Sequence, residues 1–111
     1  MTHLTTHVLD AATGAPAVGV AVELADAHGL PVDAGVTDAD GRASLGPDLL
    51  PEGEYTLAFR TGAYFAALGV ETFYPYVTVT FTVEVAADGT SRHLHVPLLL
   101  SPFAYSTYRG S

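Results

Sequence analysis

The 111-residue sequence contains no cysteine. Neither a disulfide framework nor a thiolate metal site can hold it together, so its stability must come from packing, and its redox compartment stays open. Lysine is missing too. Arg42, Arg60, Arg92 and Arg109 are the only strong fixed cations against 12 Asp and Glu, and the formal net charge is −8 with neutral histidines. A surface this acidic repels phosphate backbones and anionic headgroups, so neither nucleic acid nor membrane is an expected partner. The opening "MTHLTTHVLD" lacks the basic start and apolar run of a signal peptide. No uninterrupted apolar stretch approaches the roughly 18 residues of a membrane span, and a soluble, cytoplasmic protein is expected. There is no G-x-S-x-G elbow, no sequence-local Ser, His and Asp grouping, and no lysine to complete a phosphate-binding loop in "TGAYFAALG".

Hydrophobic residues make up 49% of the chain, enough to bury a core within one domain spanning residues 1–111. The dominant pattern has period two. In "YVTVTFTVEV" Val77, Val79, Phe81, Val83 and Val85 point one way, and Thr78, Thr80, Thr82 and Glu84 the other. "GVAVELAD" puts Val18, Val20, Val22 and Leu24 on one face, and "EYTLAFR" does so with Tyr55, Leu57 and Phe59. Further strands are expected in "HLTTHVL", around 32–36 and 42–45, in "RHLHVPLLL" and in "FAYSTY", for a total of about eight. Turns rich in Gly, Pro and Asp separate them. One segment, "TGAYFAALG", breaks the alternation and predicts a short helix capped by Thr61 and ended by Gly69, with Tyr64, Phe65 and Leu68 on its inner stripe. The fold class is all-β, a two-sheet sandwich of short strands with one helix. The uncharged threonine face of "TVTFT" suits packing against another copy, so a homo-oligomer is expected.

Strand parity sets the histidines apart. His3, Thr5 and His7 share one face of the first strand, and His93 and His95 share one face of a late strand, each opposite aliphatic residues. Three readings compete: solvated or hydrogen-bonded surface positions, a metal site, or proton transfer by an imidazole that titrates near neutrality. His-x-His spacing sets two rings about 7 Å apart on a strand, but no carboxylate or cysteine stands beside it in sequence. Arg42, which follows the "DADG" turn, is expected on local grounds to pair with Asp38 or Asp40, and Arg109 to be a solvated charge.

Particular strings say more. "THVLDAATGAPAVGVAVEL", "TDADGR", "YTLAFRTGAYFA", "FYPYVTVTF" and "HLHVPLLLSPFAYSTYRGS" occur in this order along nearly the whole chain. In them the sequence resembles the transthyretin-like 5-hydroxyisourate hydrolases. The closing Tyr-Arg-Gly-Ser and the histidine at position 95 favour the hydrolases over the related hormone carrier, while Tyr76 stands where many relatives carry glutamate. The resemblance implies hydrolysis of 5-hydroxyisourate to 2-oxo-4-hydroxy-4-carboxy-5-ureidoimidazoline, on the way from urate to allantoin, without metal or other cofactor. It implies a homotetramer, a dimer of dimers, with active sites in the channel between the dimers. It assigns catalysis to His7, Arg42, His95 and Ser111, and substrate binding to His7, Arg42, Tyr108, Arg109 and Gly110, with Gly110 expected to let the backbone turn tightly. His3 and His93 fall outside this set. The runner-up is a non-catalytic small-ligand carrier; a metal-binding module built on His3, His7, His93 and His95 is a third reading.

Overall fold

A computed structural model describes residues 3–110. The alternating segments become β1 (Leu4–Asp10), β2 (Ala15–Pro16), β3 (Ala21–Asp26), β4 (Pro31–Val36), β5 (Arg42–Leu45), β6 (Gly53–Phe59), β7 (Val77–Val83), β8 (Leu94–Leu100) and β9 (Tyr105–Thr107), with helix α1 (Thr61–Ala67) between β6 and β7. One sheet has the order β2-β1-β8-β9, with β5 also pairing with β1; the other has the order β4-β3-β6-β7. Leu4, Val8, Leu45, Leu94, Val96, Leu98 and Leu100 from the first sheet share one core with Val22, Leu24, Tyr55, Leu57, Phe59, Val77 and Val83 from the second. Phe65 of α1 is buried in the same core. Each such side chain contributes roughly 1.5–3 kcal/mol by leaving water, so the sandwich is held by the faces that the period-two pattern marks.

Four local expectations are corrected. Val18 is 52% exposed, because regular pairing begins only at Ala21 and the inward series starts at Val20. Thr61 does not cap α1: the chain enters the helix at Arg60, and Thr61 is already helical and buried, its hydroxyl unpartnered among the described residues. Leu68 lies at the end of the helix and is exposed, whereas Gly69, in the left-handed region at φ 69°, ends the helix as expected. The expected strand at "RHLHVPLLL" starts at Leu94, leaving His93 just outside it. No helix among the described residues is long and apolar enough to cross a membrane.

What positions the candidate site residues is β8. It runs parallel to β1, from Leu4 opposite Leu94 to Asp10 opposite Leu100, and antiparallel to β9 on its other side. Pro97 sits in the middle of it, although a residue without an N–H is usually confined to sheet edges. The Thr107 hydroxyl donates to the Pro97 carbonyl at 2.7 Å, adding a side-chain link between β8 and β9 at that point.

Candidate functional site

Two rows of residues cross the outer face of the five-stranded sheet. In one, His7 on β1 lies opposite Arg42 on β5 and Pro97 on β8; in the other, Thr5 lies opposite Ser44 and His95. Residues two apart on a strand share a face. Thr5, His7, Arg42, Ser44 and His95 therefore lie together, away from the buried Leu4, Val8, Leu45, Leu94 and Val96. Directly opposed residues on antiparallel strands have Cβ atoms about 4.5–5.5 Å apart, so the side chains of His7 and Arg42 leave the sheet as neighbours.

The turn before β5 delivers Arg42 to this place. The Asp38 carboxylate accepts from the backbone N–H of Asp40 at 2.9 Å and of Arg42 at 3.0 Å. Gly41 takes φ 76°, its carbonyl accepts from Val8 N–H at 2.7 Å, and a side chain there would collide with the Val8 carbonyl. Only glycine fits both the conformation and the approach. Asp38 thus serves the backbone rather than the guanidinium; the only side-chain ion pair among the described residues is Arg60 with Glu23 at 2.8 Å. The N–H groups of Arg42 and then Asp40 hold the Asp38 carboxyl below its ordinary range, and the charges of Arg42 and His7 act in the same direction.

On the other side of β8 the tail continues the register of β9. Tyr105 opposes Leu100, Ser106 opposes Leu99 and Thr107 opposes Leu98. The same count brings Gly110 opposite His95, where Gly110 N–H donates to the His95 carbonyl at 2.9 Å. A Cβ on Gly110 would run into His95 Cδ2 and stand 3.1 Å from Cγ. Gly110 is not among the positive-φ glycines, so the expected tight turn is corrected: the glycine serves close approach to the imidazole. Tyr108 is 59% exposed and by alternation falls on the face of His7 and Pro97. It also borders a cleft of about 330 Å³ that Val79, Phe81 and Arg109 line. Arg109 further lines a larger cleft of about 690 Å³ with Glu84 and Arg92, and neither cleft includes His7 or Arg42. Ser111 lies outside the described residues.

The histidines divide by environment. His95 Nδ1 stands 2.9 Å from Thr5 Oγ1, and the same oxygen stands 2.9 Å from His93 Nε2. Partial burial holds the His95 pKa below its ordinary value, and the Arg42 charge, with that of His7 or His93 whenever either ring is protonated, lowers it further. His3 is different. Its Nδ1 accepts from Leu50 N–H at 2.9 Å and its Nε2 donates to the Arg92 carbonyl at 2.8 Å, in a position only 5% exposed. Those bonds require the neutral ring. His3 is therefore a structural link between loops and leaves the row that strand parity gave it. Among the described residues no three His, Asp or Glu gather closely enough to hold a metal ion. Sequence reasoning put Thr5 on the histidine face without a use for it. Its position two residues before His7 was the available signal, but its contact with His95 depends on the parallel register of β1 and β8.

A 5-hydroxyisourate hydrolase from Caulobacter vibrioides is 44% identical over 116 residues, covering the whole of both chains. The structure of Klebsiella pneumoniae 5-hydroxyisourate hydrolase superposes with a TM-score of 0.84 at 40% identity, covering 97% of this chain and 92% of that one. Sea bream transthyretin in complex with thyroxine superposes with a TM-score of 0.85 at 34% identity, over 96% of this chain and 93% of that one. The model of the HIUase/Transthyretin family matches residues 4–110, and the chain belongs to that family.

Proposed function

We infer that this chain hydrolyses 5-hydroxyisourate, opening its six-membered ring, and that the outer face of the β5-β1-β8-tail sheet is where it does so. One observation carries the reading. His7, Arg42, His95 and Gly110, which are far apart in sequence, converge on one face, in a chain 44% identical from end to end to a hydrolase of that substrate.

The reaction needs water to attack a ring carbonyl, a group to take the water's proton, and a donor to the oxygen on which negative charge collects. A neutral imidazole takes the proton, and His95 suits the role because its environment favours the uncharged ring. As the new C–O bond forms, the carbonyl electron pair moves to oxygen, where the Arg42 guanidinium holds it by a planar fork that stays charged throughout. The tetrahedral centre then collapses, the ring C–N bond breaks, and the departing nitrogen takes a proton from an imidazolium. His7, beside Arg42, orients the water or supplies that proton. Tyr108 and the backbone at Gly110 wall the flat ring, Arg109 adds positive charge at the tail, and Ser111 positions the water. No step calls for a metal. The active assembly is a homotetramer, a reading supported by the one-sided pairing of edge strands β7 and β9 among the described residues and by exposed Phe73, Phe103 and Tyr105.

The test is direct. 5-Hydroxyisourate is generated from urate with urate oxidase, and its decay is followed with the wild-type protein, with His95→Ala and with a chelator. Wild type should accelerate the decay with or without chelator, and His95→Ala should lose at least about a hundredfold while remaining folded. Binding without accelerated decay would instead identify a carrier, and loss of acceleration on chelation a metal-dependent enzyme.

A further inference from the structure

The hydroxyl of Thr5 is shared between two imidazoles. Its Oγ1 stands 2.9 Å from His95 Nδ1 and 2.9 Å from His93 Nε2. A hydroxyl has one proton and two lone pairs, so it can donate to at most one of the rings and must accept from the other. At least one of the two rings therefore presents an N–H to Thr5.

The surroundings of His95 leave one nitrogen for chemistry. Its Nδ1 is taken by Thr5, and Gly110 lies against the Cδ2 edge. Among the described residues no hydrogen-bond partner meets Nε2. For Nε2 to accept a proton from water it must carry a lone pair, which in a neutral ring requires the proton on Nδ1. The Nδ1–H then donates to Thr5, whose own proton goes to Nε2 of a neutral His93.

We propose that Thr5 is a positioning residue for hydrolysis: its hydroxyl, backed by His93, holds His95 in the Nδ1–H tautomer, with Nε2 turned bare toward the substrate. When Nε2 takes the water's proton, the same Nδ1–H bond persists and supports the imidazolium. No atom need move for the ring to change charge. Which nitrogen of a catalytic imidazole carries the proton is set by what its other nitrogen touches, and here that contact is a threonine where other enzymes use a carboxylate. A hydroxyl suits an imidazole that must be neutral at rest, because it orients the ring without the charge that would raise its pKa. Thr5 also joins β1 to β8 and so ties the proton-accepting ring to the strand that carries His7.

The inference rests on His95 being the proton acceptor, so the experiment carries both questions. Thr5→Val keeps the shape and removes the hydroxyl, Thr5→Ser keeps the hydroxyl, and His95→Ala tests the underlying reading. Thr5→Val should lower kcat about ten- to a hundredfold with KM changed by less than about threefold, and Thr5→Ser should recover most of kcat. ¹⁵N spectra of the wild-type imidazoles above their titration range should show His95 protonated at Nδ1, and Thr5→Val should lose that preference. Wild-type kcat in Thr5→Val, or equal impairment in Thr5→Ser, overturns the role of Thr5 provided that His95→Ala is inactive. An active His95→Ala overturns the site reading itself. An Nε2–H tautomer in the wild type overturns the direction of the network whatever the kinetics show.

Discussion

On β7 the residues turned to solvent are Thr78, Thr80 and Thr82; on β1 and β8 they are Thr5, His7 and His95. Both sets come from the same alternation, and both contain a threonine whose hydroxyl contacts a neighbouring strand. Thr80 meets Thr56 at 2.9 Å, and the two hydroxyls satisfy each other in an exposed pair. Thr5 instead meets two imidazoles. The residue type is the same, and its chemical use depends on what the register of the next strand supplies. On the proposed reading, a β-sandwich carries a reactive face and an inert one without any difference in how its strands form.

The largest expected effect comes from disturbing the reactive face at its closest contact. Gly110→Ala drives a methyl into the His95 ring, and a displacement on the order of 1 Å in a reacting group can cost about a hundredfold. Activity should fall at least that far in the coupled urate oxidase assay. Melting temperature should be nearly unchanged, because the contact is at the end of the tail. Full activity in Gly110→Ala would mean that His95 has more freedom than its packing indicates.

His3 sharpens the comparison from the structural side. His3→Ala leaves Leu50 N–H and the Arg92 carbonyl without their partner in a buried corner, and each such loss costs about 1–3 kcal/mol. Denaturant unfolding should show a loss of roughly 2–6 kcal/mol, while kcat per folded molecule stays at the wild-type value. A fall in kcat at unchanged stability would move His3 from the structure to the chemistry.

A smaller, directional effect concerns protonation. The Arg42 charge is one cause of the lowered His95 pKa, after burial. Removing it in Arg42→Gln should let His95 hold its proton to higher pH. An NMR titration of the ring should therefore shift upward, a readout that does not need an active enzyme. In the wild type the acid limb of kcat/KM should follow the lowered pKa, so activity persists to more acidic pH than an ordinary imidazole would allow. No movement of the titration in Arg42→Gln would separate Arg42 from the ring electrostatically.

The difference between the two faces was only partly legible in the sequence. Alternation in "YVTVTFTV" and "EYTLAF" was enough to predict β7 and β6 and their inward residues, because burial on one side is a local constraint. Pairing is not local. His7 faces Arg42 through the turn at Asp38 and Gly41, which carries the chain from β4 in one sheet to β5 in the other and which the "DADG" string announced only as a turn. His95 meets Thr5 through a parallel pairing between strands some 90 residues apart, which no period reveals. Pro97 belongs to a residue type usually confined to sheet edges, yet β8 is flanked on both sides. His3 was misplaced because strand parity was extended one residue past the start of β1, where the chain leaves the ladder and its ring turns to loop backbone. Resemblance to a family supplied His7, Arg42 and His95 together; it had no place for Thr5.

The smallest expected effect is the most discriminating, because the same substitution can be made on both faces. Thr80→Val removes a hydroxyl from an exposed pair. Its loss should change stability by no more than about 0.5 kcal/mol, since water replaces the partner of Thr56, and valine favours strands as much as threonine does. Hydrolysis should be untouched. Thr5→Val makes the same change to a half-buried hydroxyl that contacts an imidazole, and there the loss should appear in kcat. If Thr80→Val also slowed the reaction or changed the oligomeric state, the β7 face would not be inert, and the packing of copies against its threonines would become part of how the site is built.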